Sequence, residues 1–160
     1  MSEVHPQVQR VVNAAAAHEL TLDVVEFPGG TRTAVDAAAA VGCEVGQIVK
    51  SLIFDVDGHI VLALTSGANR VDTAALAALA EGSRCGRADA DVVREVTGFA
   101  IGGVPPFGHA HPVRAFLDPG LLSFEIVWAA AGTPRHVFPI EPAKLESVAG
   151  AVVGEFAESD

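Results

Sequence analysis

Gln47-Ile48-Val49-Lys50-Ser51-Leu52-Ile53-Phe54 sets a lysine at the mouth of an apolar strand. Side chains alternate across a strand, so Lys50, Leu52 and Phe54 are expected on one face and Ser51, Ile53 and Asp55 on the other. A lysine aligned with a leucine and a phenylalanine has three outlets. Its ammonium can stretch to water, pair with a buried anion, or face a cleft whose ligand brings the negative charge. The other lysine, Lys144, falls in a surface-helix pattern, and the remaining basic residues are arginines. Lys50 is thus the first candidate for chemistry, with a strand-end lysine reaching water as the plainer reading.

Outward from this stretch, strands and helices intersperse. A short helical turn over 45–49 delivers the chain into the Lys50 strand. Asp57-Gly58 makes a hairpin connection, and Ile60 to Leu64 reads as a strand buried on both faces. Upstream, Val8, Val11, Val12, Ala15 and Ala16 recur at helical spacing, predicting a first helix from His5 to Leu20. Leu22 to Phe27 reads as a strand. Thr33 caps a helix that stops at Gly42. Downstream, Asp72 and Asp89 cap helices to about Glu81 and Thr97. Short strands are expected at 83–87, 113–117, 124–130 and 136–140, and Glu141-Pro142 opens a last helix to Gly150. The fold class expected is α/β: a single domain over residues 1–160, residues 1–20 its N-terminal helix, with a mixed, curved, barrel-like sheet flanked by helices.

The 160 residues suffice to bury about two-thirds of the unfolded surface. Half are hydrophobic and the mean hydropathy is +0.39, yet no apolar run reaches the roughly 18 residues of a membrane span. Met1 to Pro6 lacks the features of a signal peptide, so the compartment expected is cytoplasmic. Cys43 and Cys85 read as reduced packing residues. The formal net charge of −10 argues against broad binding to duplex nucleic acid. A partner engaging one small cationic cleft remains compatible.

Ile101-Gly102-Gly103-Val104-Pro105-Pro106-Phe107-Gly108-His109 is the second informative stretch. Paired glycines let a backbone approach a ligand and present its N–H groups. Paired prolines stiffen the segment after them. Such a loop has its shape before a ligand arrives, as a carbonyl or oxyanion site requires. A rigid helix-to-strand connection has the same composition.

Val49-Lys50-Ser51-Leu52, Arg70-Val71-Asp72, Thr97-Gly98-Phe99 and Gly102 to Gly108, in this order, resemble the YbaK family of freestanding aminoacyl-tRNA deacylases, related to the editing insertion of bacterial prolyl-tRNA synthetase. The likeness runs from about Val25 to Leu145. It implies trans-editing: hydrolysis of the ester joining a wrong, small amino acid to the 3′ end of a tRNA, tRNA-Pro or a related one. Catalytic positions carried over are Lys50, near the terminal adenosine and its phosphate, Gly102 and Gly103 at the ester carbonyl, and His136, which follows the Ala131-Gly132 turn. Substrate-binding positions are Thr31, Arg32, Thr33, Pro105 and Phe107. The resemblance implies no cofactor and no metal. It gives the acceptor end of an aminoacyl-tRNA as partner, allows a tRNA synthetase as a second, and gives neither membrane nor duplex DNA.

An aminoacyl ester is already activated, so oriented water and oxyanion stabilisation can suffice, and the ribose hydroxyl is itself available to assist. Thr33 reads equally as a helix cap, Arg32 as a solvated side chain, Arg70 and Asp72 as a loop anchor and a cap, and Trp128 as core. His109, His111 and His136 lack the carboxylate spacing of a zinc site. Two other readings stay open: a non-catalytic aminoacyl- or nucleotide-binding regulatory module of the same fold, and a metal hydrolase.

Overall fold

In the computed structural model, residues 5–27 and 33–158 are described. Helix α1 spans Pro6–Ala16, ending four residues before the expected Leu20. The chain turns there: Glu19 takes φ 60° and Leu20 N–H bonds back to Ala15 O. Strand β1 is only Val25–Glu26, because its partner strand offers it just two positions, His136 and Val137. Helix α2, Ala34–Val41, begins at Thr33, whose hydroxyl accepts from Asp36 N–H, and ends at Gly42 in the left-handed region.

A 3₁₀ turn at Val45–Gln47 leads into β2, Val49–Val56. Asp57 and Gly58, both at positive φ, close the hairpin to β3, His59–Ser66. Then come α3 (Thr73–Leu79), β4 (Cys85–Arg87), α4 (Ala90–Thr97) and β5 (Arg114–Leu117). A 3₁₀ turn at Pro119–Ser123 precedes β6, Val127–Ala130, so the strand expected from 124 starts three residues late. β7 (His136–Ile140), α5 (Pro142–Ala149) and β8 (Val152–Val153) complete the described elements.

The strands form two sheets, ordered β4-β2-β3-β5-β8 and β1-β7-β6. The first is mixed, since β3–β5 and β5–β8 are parallel. Among the described residues neither sheet closes, which corrects the barrel-like expectation. Its edge strands are three and two residues long, too short to carry a ladder round to the opposite edge. A parallel bridge, Ile48 to Trp128, links the two sheets.

The five-stranded sheet separates two apolar layers. Val49, Ile53, Leu62 and Leu64 face one; Phe54, Val56, Val61 and Ala63 face the other. β3 is therefore buried on both sides. The alternation expected for β2 holds, leaving Lys50 in register with Phe54 near the strand's entrance.

Candidate active site

β4 runs beside β2 only at Phe54, Asp55 and Val56. The preceding five residues, Val49 to Ile53, line a cavity of about 500 Å³ instead, a volume usual for small-ligand sites. Across from them stand Trp128 and Ala129 of β6, with Gly102, Thr133 and Arg87 at other points of the wall. Trp128, expected as core, is half-buried and faces this space. The wall is mostly aliphatic. Among the described residues no aspartate or glutamate lines it, while Lys50 and Arg87 do. In a chain of net charge −10, this hollow is a local cationic exception.

Lys50 is held rather than loose. Its Nζ donates to Asn69 O at 2.5 Å. Burial pulls its pKa below the ordinary lysine value, Arg70 and Arg87 push the same way, and Asp118 opposes them. An ammonium so placed gains from an arriving anion. Asp118, which the sequence reading overlooked, is almost fully buried. Its Oδ2 accepts from Ser66 N–H and Asn69 Nδ2 (3.1 and 2.8 Å), and its Oδ1 from Gly120 N–H (2.8 Å). It thereby fixes the loop whose carbonyl holds Lys50. Only the Asp-Pro-Gly turn signature at 118–120 marked this residue beforehand.

Gly102, at φ +93°, lies on the cavity wall. Gly103 is behind it: a Cβ there would come within 2.8 Å of Thr133 Cα and 3.0 Å of Gly132 O. Glycine at this point is what lets the 102–103 loop press directly on the 132–133 turn. Two expected substrate contacts are placed elsewhere. Phe107 is buried against Phe138, ring centroids 5.7 Å apart. The carbonyl of buried Pro105 receives His109 Nε2 at 2.7 Å. Both belong to the packing under the loop and not to the cavity wall. Burial lowers the His109 pKa, outweighing the carbonyl bond, and because a carbonyl only accepts, Nε2 is the donor. Thr33 does reach the wall while capping α2; Thr31 and Arg32 lie outside the described residues.

His136 is near the cavity but not on its wall. Its Nδ1 is 2.6 Å from Thr133 Oγ1 and its Nε2 is 3.3 Å from Glu26 Oε2. Ser51 lines the cavity, yet its Oγ is buried without a hydrogen-bond partner among the described residues. A buried hydroxyl left unpaired costs about 1–3 kcal/mol. Ser51→Ala is therefore expected to leave the urea midpoint unchanged or to raise stability by up to about 1 kcal/mol. A clear loss in urea denaturation would mean the hydroxyl is satisfied in solution.

The site is thus a cationic hollow beside β2 of an open, mixed sheet, free of acidic side chains among the described residues. Residues 29–148 match the family described as the aminoacyl-tRNA editing domain. A crystal structure of a candidate trans-editing enzyme for prolyl tRNA synthetase superposes with a TM-score of 0.93 at 47% identity, covering 98% of this chain and 100% of that one. The protein YwhH of Bacillus subtilis (strain 168), of uncharacterised function, is 32% identical over 124 residues, 77% of this chain and 78% of its own length. The proline–tRNA ligase of Maridesulfovibrio salexigens is 34% identical over 101 residues, 63% of this chain but 17% of the ligase. The chain belongs to the aminoacyl-tRNA editing domain family. Among the described residues, no helix is long and apolar enough to cross a membrane.

Proposed function

We propose that this chain, acting as one unit, hydrolyses the ester of mischarged aminoacyl-tRNA carrying a small amino acid, on tRNA-Pro or a related tRNA. One observation carries the reading: Lys50 and Gly102 line the same cavity, which has no acidic side chain among the described residues. The Lys50 ammonium takes the phosphate next to the terminal adenosine. The backbone at Gly102 holds the ester carbonyl as its oxygen gains charge, while Gly103, whose N–H is bonded to Ala100 O, shapes the loop behind it. His136 assists from behind the wall, and the ribose hydroxyl beside the ester supports the attack. Holding only the acceptor end confines the phosphate contacts to this cationic patch, which reconciles the reading with a net charge of −10. Aliphatic walls suit a small side chain. A second, smaller pocket supplies the discrimination a synthetase cannot, since one methylene is worth only about 1–3 kcal/mol.

The test is a panel of tRNA-Pro and tRNA-Ala charged with alanine, serine, cysteine or proline, followed by loss of the label. Faster hydrolysis of at least one mischarged species than of prolyl-tRNA-Pro is expected. If every species decays at its spontaneous rate while the protein still binds an aminoacyl-adenosine amide, the regulatory-module reading replaces this one.

A further inference from the structure

His136 reaches the cavity only through its neighbour. Thr133 is buried, lines the wall, and presents Oγ1 to the imidazole. The proton positions follow from what each group can do. Glu26 carboxylate only accepts, so a hydrogen on His136 Nε2, 3.3 Å away, is the placement that pairs the two groups. Nδ1 is then the acceptor, and the Thr133 hydroxyl donates to it. Arg135 N–H donates to the same oxygen at 3.1 Å. That leaves Thr133 Oγ1 one acceptor site, and the residue stands on the cavity wall beside the glycine loop.

We propose that Thr133 is a catalytic residue, relaying the proton of the attacking water to His136, with Glu26 supporting the imidazolium. The inference rests on the deacylase reading. As the water oxygen bonds to the ester carbonyl carbon, a water proton passes to Thr133 Oγ1. The hydroxyl's own proton passes to Nδ1. Collapse of the tetrahedral adduct breaks the bond to the ribose 3′ oxygen, which takes the proton back along the same path. The products are the free amino acid and the tRNA hydroxyl, and Thr133 and His136 end as they began. Positioned acid–base groups of this kind contribute about 10²–10⁴-fold. The hydroxyl, imidazole and carboxylate are each in place before substrate binds.

Three measurements test it. Thr133→Val keeps the volume and removes the hydroxyl; kcat is expected to fall about a hundredfold with KM little changed, and Thr133→Ser to restore it to within about threefold. The acid limb of the rate–pH profile, present in the wild type, disappears in Thr133→Val. Because both residues act in one relay, Thr133→Val with His136→Ala is no slower than His136→Ala alone. Multiplying losses, or a Val variant that keeps the acid limb, overturns the relay. Nitrogen-15 spectra of the ligand-free wild type add a readout independent of turnover. A neutral His136 protonated at Nε2 and bare at Nδ1 is expected; the opposite tautomer overturns the proton path even if deacylation is robust. A wild type inactive on all charged tRNAs defeats the deacylase reading and, with it, the relay.

Discussion

On the proposed deacylase function, Lys50→Ala is expected to lower kcat/KM for hydrolysis of the preferred mischarged tRNA by about a hundredfold, equivalent to about 2.7 kcal/mol of transition-state stabilisation. The size follows from removing one charge-assisted contact to a phosphate in a partly desolvated site, where such bonds exceed neutral ones. The fold survives the change. Lys50 has a pKa lowered by burial first, then by Arg70 and Arg87. A base whose pKa is lower in the folded state holds its proton less firmly there, so its charge opposes folding at neutral pH. That opposition fades as pH rises through the lowered pKa and is gone above the ordinary lysine range. Alanine removes this burden together with the bond to Asn69 O, and the thermal midpoint should stay near the wild-type value. Lys50→Arg will not rescue the rate, since a planar fork cannot occupy the niche of a compact ammonium. In a catalyst, binding of a non-hydrolysable aminoacyl-adenosine amide weakens far less than the rate falls. Equal loss of both would favour a binding module. Unchanged kinetics would remove Lys50 from the site altogether.

What the sequence disclosed was local. The alternation around Lys50, the Thr33 cap, the Asp57-Gly58 turn and the glycine stops at Gly42, Gly98 and Gly150 depend on nearest neighbours. Each glycine stop indeed takes a left-handed conformation. What it hid depends on distant partners. Residues 22–27 have the composition of a strand, but only Val25 and Glu26 find a ladder. Val152 and Val153 look like a tail until β5 supplies a parallel edge. Closure of the sheet was expected and fails because the edge strands are short. The site divides in the same way. Lys50 and the glycine loop were marked by unusual composition. Thr133 read only as part of a Gly-Thr-Pro turn, and its importance appears once β7 brings His136 against it. Phe107, carried over from the resemblance as a substrate contact, is packed on Phe138, a distant partner its neighbours in sequence do not announce.

Asp118 is the clearest case of a residue whose weight only contacts reveal, and its replacement carries the largest structural penalty expected. Three donors end on its carboxylate, from Ser66, Asn69 and Gly120, the first two some fifty residues away in sequence. Asp118→Ala strands all three, Ser66 N–H in a fully buried position and the Asn69 and Gly120 donors in partly buried ones. With each orphaned donor costing about 1–3 kcal/mol, part of it recovered by relaxation, a loss of about 3–5 kcal/mol is expected by urea or thermal denaturation. That is a large share of the total stability of a domain this size. Asp118→Asn is milder yet informative, at about 2–3 kcal/mol: whichever way the amide turns, its NH₂ faces an N–H it cannot accept from. The Asn variant should fold, and its kinetics then report on Lys50. Asp118 is the group that favours the charged amine against burial, Arg70 and Arg87. Without its charge the Lys50 pKa drops further, so the alkaline limb of kcat/KM moves to lower pH than in the wild type. The loop carrying Asn69 O also loosens, and kcat/KM falls about tenfold or more even at the optimum, as one hydrogen bond's worth of positioning is lost. A variant as stable as the wild type, or one whose alkaline limb stays in place, would separate Asp118 from Lys50 and leave the amine held by Asn69 alone.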